Sequence, residues 1–405
     1  MTLPAQRVFL VCPWYGPQTA GGAETNARGL AEALHAAGVA VEVLTTTGRD
    51  VFSPGEEPYP AGMQEHAGIP VRRFSLRRDD GAAWQAAHAH LLPGDAGFSA
   101  EEQHLTRRLF AQDALFSYIA DHRHEGVFLF TPYIWGTTFW GALLAGENAV
   151  LLPCLHDEPY ASYRTYQYLF RRVRGALMLS LPEQALARQL YDLPLERLPL
   201  VGAGVDTSAA GDAARFRERF GLADPFLFYA GRRDRGKQIP MLVEYFAAYQ
   251  ERHPGPLKLV LAGKNPVLVP APYAGAVVDL GYVAEQDVHD ACAAAALVCQ
   301  PSRYESFSLL LMEAWLHGTP VLVNAACAVT AHHCRESNGG LYFQGYAEFE
   351  ACLEALLEQP ALRQRLGQQG RRYVLANYAW PAVARRVVEA LEGLGVAVPA
   401  RPMLR

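Results

Sequence analysis

Short apolar runs alternate with amphipathic stretches along most of the chain, and a glycine usually stands between them. Val8–Cys12 is almost continuously apolar, the pattern of a strand buried on both faces. Gly21-Gly22 follows, and Ala27, Leu30, Ala31 and Leu34 then recur at helical spacing, which predicts a helix over Ala23–Ala37 closed by Gly38. Val39–Thr45 is the next strand, which completes a βαβ unit of the kind that builds parallel sheets. Residues 48–70 carry Pro54, Pro58, Pro60 and Pro70 and read as a loop or short hairpin, with Val71–Leu76 as a return strand. Residues 79–100 show no usable period. A helix over Gln103–Ala120, strands Val127–Phe130 and Ala149–Cys154 with a helix between them, strand Leu177–Ser180, a helix from Pro182 to Tyr191 and strand Pro199–Gly202 complete a first half.

A second alternating series starts near residue 212. Strands are predicted at Phe226–Ala230, Leu257–Ala262, Val277–Leu280, Leu297–Gln300 and Val321–Asn324. Helices are predicted at Pro240–Gln250, Glu285–Ala294, Leu309–His317 and Phe349–Leu357, followed by a helical tail from Pro360 to Leu394 that breaks at Pro381. The boundary between the two series falls at about 203–211, within GAGVDTSAAGD. This is an α/β chain of two doubly wound domains, and ligands of such sheets bind beyond the carboxyl ends of the strands. The division is residues 1–205, residues 206–380, and a C-terminal helix and tail, 381–405, that crosses back to the first domain.

Composition narrows the partners. With 50% hydrophobic and 19% charged residues, the 405-residue chain has ample material for two cores. A net charge of −5 argues against a dedicated nucleic-acid binder. No apolar run reaches the ~18–20 residues of a membrane span, and the N-terminus lacks the form of an export signal. Seven scattered cysteines without a CxxC pair read as reduced thiols of a cytoplasmic protein.

Three motifs carry chemistry. Gly21-Gly22-Ala23-Glu24 stands at the start of the first helix, where glycine lets backbone approach an anion and the helix dipole favours phosphate; a loop that simply needs positive φ is the plainer reading. It is not GxGxxG, so the dinucleotide fingerprint fails. Gly231-Arg232-Arg233-Asp234-Arg235-Gly236-Lys237 follows a buried strand directly, and its cations suit a polyanion, although charge runs are commonly solvated turns. Glu305-Ser306-Phe307-Ser308-Leu309-Leu310-Leu311-Met312-Glu313 places one acid in a loop and a second inside a helix among apolar neighbours. The free amides of Ser306–Leu309 lie between them, suited to phosphate, while carboxylates suit sugar hydroxyls.

Together these motifs resemble the GT-B glycosyltransferases, specifically glycosyltransferase family four, a retaining class that uses nucleotide sugars. The resemblance spans nearly the whole chain. It rests on GGAE, on YAGRRDRGK with Arg232 and Lys237, on Glu305 and Glu313, on GTPVL after that helix, and on Tyr378 and Trp380 before the last one. Gln238 departs from the pattern, which usually has glycine there. The resemblance implies two Rossmann-like domains facing a central cleft. It implies that Arg232 and Lys237 neutralise the donor diphosphate, Glu313 holds the ribose and Glu305 the donor sugar, with Ser306, Phe307 and Leu309 alongside. It further implies that Gly21 and Gly22 admit the phosphates and that Val283 borders the base. The acceptor would be a hydroxyl of a glycan, a lipid-linked glycan or a small molecule. No cofactor is expected beyond the co-substrate and, with no Asp-x-Asp element, no metal.

His156 follows strand Ala149–Cys154, and the resemblance places it at the donor sugar and phosphate; a structural loop histidine is the alternative. His332-His333-Cys334 lacks further partners at zinc spacing. Tyr160–Met178, rich in arginine and tyrosine, reads first as a packed helix and second as a surface for the inner membrane face or a lipid-linked acceptor. Rival functions are a nucleotide-sugar epimerase of the same fold and a non-catalytic nucleotide-sugar binder; product formed without acceptor marks the first, absence of turnover the second.

Overall fold

The computed structural model describes residues 7–19, 21–51, 53, 55–77, 85–87, 89, 91, 97–106, 110–233 and 235–398. Most of the unpatterned stretch 79–100, Asp234 of the basic turn and the end of the C-terminal tail therefore lie outside the described residues. The chain divides into two compact units, Met1–Gly204 with Trp380–Arg405, and Val205–Ala379.

The first unit is built on seven strands: β1 Arg7–Val11, β2 Val41–Thr46, β3 Gly62–His66, β4 Ile69–Phe74, β5 Gly126–Phe130, β6 Ala149–Leu151 and β7 Gly175–Ala176. Their order is β3-β4-β2-β1-β5-β6-β7, parallel throughout except for the β3–β4 hairpin. β1, β2 and β5 form the middle, and Val8, Phe9, Val43, Phe128 and Leu129 have no exposed surface, which is why these strands read as unbroken apolar runs. The second unit has β8 Phe226–Ala230, β9 Lys258–Ala262, β10 Val277–Gly281, β11 Leu297–Gln300, β12 Val321–Asn324 and β13 Gly340–Phe343. All six pair in parallel in the order β10-β9-β8-β11-β12-β13. The winding reverses between β1 and β5 in one sheet and between β8 and β11 in the other, so each sheet opens a crevice there.

Several elements differ from the pattern-based reading. The single helix expected over Gln103–Ala120 is two, Phe98–Thr106 and Asp113–His122. Between them Phe110 takes a left-handed φ of 57° and Ala111 bridges to Leu76. The strand expected over Ala149–Cys154 stops at Leu151, because Pro153 has no N–H and Cys154 turns left-handed with φ 54°. The expected strand Leu177–Ser180 pairs earlier, at Gly175–Ala176, since the Leu179 N–H is taken at 2.5 Å by the Glu183 carboxylate. Pro199–Gly202 reduces to one bridge, Met178 to Leu200. The tail breaks at Tyr378-Ala379 rather than at Pro381, which sits in the first turn of the last helix. β13 and the helices Arg164–Arg172 and Ala328–Ser337 were not separated by pattern. Arg164–Arg172 buries Tyr166, Leu169 and Phe170, and its arginine-bearing face is exposed, so the packed-helix reading of Tyr160–Met178 holds for that segment. All seven cysteines are free thiols, five of them buried. Among the described residues, no helix is long and apolar enough to cross a membrane.

Two indoles set close helix contacts. Trp315 is fully buried, donates to the Gly339 carbonyl at 2.8 Å, and leaves room at Gly370 only for hydrogen. Trp380, at the start of helix Trp380–Gly393, lies against Gly29 of helix Gly22–Ala36, where an added Cβ would stand 2.0 Å from the ring. Alanine at Gly29 gains about 1 kcal/mol of helix propensity but meets an overpacking cost of about 1–3 kcal/mol. Gly29→Ala is expected to lower the melting temperature of the wild type and to raise that of a Trp380→Ala chain. The same sign in both backgrounds would show that the glycine does not serve the indole.

Candidate functional site

The strand Phe226–Ala230 ends in Gly231, whose φ of 150° favours glycine and where a Cβ would lie 2.8 Å from the Tyr229 hydroxyl. That hydroxyl donates to the Arg232 carbonyl at 2.6 Å, folding the basic turn back onto its own strand. At the end of β9 a Cβ on Gly263 would stand 2.0 Å from the Gly231 carbonyl oxygen, so the two strand ends touch through backbone alone.

The turn's cations separate. Arg232 is exposed. Arg233 turns inward with a side chain only 2% exposed, pairs with Asp279 at 2.5 Å, and donates to the carbonyls of Asn265 and Leu261. It ties the ends of β8, β9 and β10 together and holds the Asp279 carboxyl below its usual range. Arg233 is therefore a scaffold cation, not a free one. Lys237 closes the short 3-10 helix Arg235–Lys237 and donates to Glu305 Oε1 at 2.6 Å, the two side chains being 15% and 9% exposed. Gln238 comes next and is left-handed, with φ 54°, so the glycine-type backbone expected at this position survives without the glycine.

Glu305 arrives from the other side of the switch point, in the loop after β11. Gln300, the last residue of that strand, is buried and donates to both Glu305 Oε1 and Ser308 Oγ at 3.2 Å. The Ser302 hydroxyl donates to the side-chain Oε1 of Gln300 at 3.0 Å, and the Arg303 N–H to the backbone carbonyl of Gly236 at 2.9 Å. The structure thus brings Lys237, Glu305 and the amides that follow into one cluster. Nothing in the sequence singled out Gln300 except its place at a strand's carboxyl end.

Ser306 is half-buried, Phe307 is buried, and Ser308 adopts φ 76° at the head of helix Leu309–Leu316. No side chain caps that helix, so its first-turn amides, from Leu309 onward, stay open to a ligand. Glu313 sits in the second turn, half-buried, and no hydrogen-bond partner for its carboxylate occurs among the described residues. Burial, with Glu285 adding, pushes its pKa up to about 7. Beside this cluster, Arg233, Lys264, Asn265, Asp279, Gly281 and Tyr282 line a shallow pocket of about 570 Å³. Lys264 stands over the Tyr282 ring at 5.3 Å, and the half-buried Val283 follows in sequence.

In the first unit, Gly21 caps helix Gly22–Ala36 with φ 139°, and the Glu24 carboxylate folds back over it. A Cβ on Gly22 would meet nothing within 4 Å. His156 follows the left-handed Cys154, and its Nδ1 lies 3.3 Å from Glu158 Oε2. Its loop is held by Glu183, a buried acid that pattern did not flag. Its carboxylate accepts the N–H of Leu155 at 2.6 Å and of Leu179 at 2.5 Å, and burial raises its pKa to about 8. Among the described residues, no group of three metal-ligating side chains is present.

A carboxyl whose pKa is raised on folding stabilises the protein at low pH and loses that contribution as pH rises through the folded value. Glu313, lifted from 4.5 to about 7, stabilises below pH ~4.5 and weakens the fold between pH 5 and 8. The melting temperature of Glu313→Gln relative to wild type is expected to climb from pH 5.5 to pH 8. A difference independent of pH would place the carboxylate in a fully solvated setting.

A model of the family described as "Glycosyl transferases group 1" matches residues 212–373, the body of the second unit. A D-inositol 3-phosphate glycosyltransferase of Frankia alni is 29% identical over 93% of this chain and 95% of its own length. Among solved structures, a sucrose-phosphate synthase from Thermosynechococcus elongatus superposes with a TM-score of 0.72 at 20% identity, covering 96% of this chain and 99% of its own. The Anabaena protein HepE in complex with UDP-glucose superposes with a TM-score of 0.67 at 16% identity, covering 95% and 99%. The segment that matches the glycosyl transferases group 1 model holds the cluster of Lys237, Glu305 and Glu313, the relatives extend over both units, and the chain has the GT-B fold.

Proposed function

We propose that the chain transfers a hexosyl unit from a nucleoside-diphosphate sugar to an acceptor hydroxyl with retention of configuration, and that it does so without a metal. The observation that carries this reading is the contact of Lys237 with Glu305 beside uncapped helix amides, at the switch point of the second sheet. A fixed cation and open amides suit a departing diphosphate, while a carboxylate in the same cluster suits sugar hydroxyls.

Arg232 and Lys237 take up the charge that builds on the leaving diphosphate, aided by the amides around Ser306, Phe307 and Leu309. Glu305, already held by Lys237 and Gln300, orients donor-sugar hydroxyls. Glu313, whose carboxylate has no hydrogen-bond partner among the described residues, accepts from the ribose hydroxyls, and the segment at Tyr282-Val283 borders the base. In the first unit, Gly22 leaves backbone accessible to phosphate oxygens, Gly21 does so once the Glu24 carboxylate swings away from it, and His156 donates to charge developing on the sugar or its phosphate. The acceptor hydroxyl then attacks from the face that the diphosphate leaves. HepE binds UDP-glucose, which makes UDP and UDP-glucose the first ligands to test.

Arg232→Ala and Lys237→Ala are each expected to weaken nucleoside-diphosphate binding by about 1.5–3 kcal/mol, roughly 10- to 100-fold, and to cut turnover. Titration calorimetry against UDP and GDP measures this, and unchanged affinity in both variants would remove the diphosphate from this cluster. Transfer is expected to persist in excess EDTA, since two side-chain cations stand where a divalent ion would otherwise serve. Activity abolished by chelator and restored by a divalent ion would overturn the metal-free reading.

A further inference from the structure

Phe307 lies between the two acids of the donor cluster, and its ring is only 2% exposed. It is gripped edge-on by two rings, His333 at 5.1 Å and Tyr378 at 4.9 Å between centroids, with interplanar angles of 78° and 80°. Behind the grip runs a chain of polar groups. His333 Nδ1 lies 3.0 Å from the Tyr373 hydroxyl, which lies 2.9 Å from the Tyr378 hydroxyl. His333 is buried, and its Nε2 has no hydrogen-bond partner among the described residues. The three rings come from three places: helix Ala328–Ser337, helix Pro360–Asn377, and the residue that ends the latter. Tyr378 also accepts the Val205 N–H on its carbonyl at 2.8 Å, so it is anchored on both sides, at the point where the chain enters and leaves the second unit.

The polar contacts of the loop it grips lie at its start, on Glu305 and the residues before it, and at Ser308. Ser308 is left-handed without being glycine, and no side chain caps the helix that starts at Leu309. A loop with strained backbone and open amides keeps one conformation only when its surroundings over-determine it. Gln300 supplies polar restraint from the strand side. The aromatic grip supplies the restraint from the opposite side, through the one large side chain the loop buries.

We propose that Tyr378 is a positioning residue for the donor loop: its ring, backed by Tyr373 and His333, holds Phe307 and thereby sets the amides of residues 306–309 where a diphosphate binds. Tyr378 itself touches no ligand. The assignment of those amides to a diphosphate rests on the function proposed above, but the mechanical claim does not, because loop order is measurable without ligand.

Hydrogen exchange of the ligand-free protein tests that claim. In Tyr378→Leu, amides of the 305–311 segment are expected to exchange about three- to tenfold faster, the range of one aromatic contact, while β8 and β9 keep their wild-type rates. Tyr378→Phe, which keeps the ring and loses the hydroxyl, is expected to restore most of the protection. UDP affinity is expected to fall in step in Tyr378→Leu, with recovery in Tyr378→Phe. If Tyr378→Leu is too unstable to study, Phe307→Leu removes the same contact from the other side and is expected to give the same local signature. Wild-type exchange at 305–311 in either leucine variant, or acceleration spread evenly over the unit, would overturn the positioning role. Faster loop exchange in a protein whose wild type binds neither UDP nor GDP would leave the mechanical claim standing and remove the diphosphate reading instead.

Discussion

The second unit is organised around one half-buried ion pair, Lys237 with Glu305. The two residues follow β8 and β11, the strands on either side of the switch point, so their contact closes the crevice at its base. Isolated surface pairs contribute little. This one is shielded, and its carboxylate also takes a hydrogen bond from Gln300, which in turn holds Ser308. Breaking such a pair leaves a poorly solvated charge on each side, a cost well above its net contribution when intact. The loops after both strands therefore share one conformation, and the basic turn, the acid and the uncapped helix start are presented together.

The central strands of both sheets were legible because burial on both faces leaves an unmistakable mark. Phe226–Ala230, Leu297–Gln300 and Val321–Asn324 are strands end to end, as their apolar runs predict. Two of the misplaced strand ends share a cause: a side chain or a proline decides where a ladder stops. Glu183 takes the Leu179 N–H, so β7 moves back to Gly175–Ala176; Pro153 and the left-handed Cys154 cut β6 short. A periodic pattern reports which face is apolar and carries no record of such captures.

The site divides in the same way. Spacing and residue type placed Lys237, Glu305 and Glu313 at strand ends and on a helix. Charge alone could not separate Arg232, which is exposed, from Arg233, which is consumed by Asp279 forty-six positions later. That distinction belongs to tertiary structure, as does the part of Gln300, whose amide looks like any other in sequence. Gln238 is instructive in the opposite direction. A glycine was expected there, the glutamine casts doubt on the turn, and the backbone is left-handed all the same, because the packing of helix Ile239–Arg252 against its sheet outweighs a local penalty of about 1–2 kcal/mol.

The distribution of unsatisfied groups in the second unit is itself an argument for where it binds. Away from the crevice, several element ends are served by side chains. Asp212 caps Ala213–Phe220 with two hydrogen bonds, Arg217 collects the carbonyls of Leu222, Ala223 and Asp224, and Asp290 takes a bidentate grip from Arg215. At the crevice the pattern inverts. A helix start is uncapped, two non-glycine residues are left-handed, and a half-buried carboxyl stands with its pKa near 7 and no partner among the described residues. Each of these costs stability. They lie together around the switch point of one sheet, which is why the proposed donor, with its phosphates and hydroxyls, is placed there.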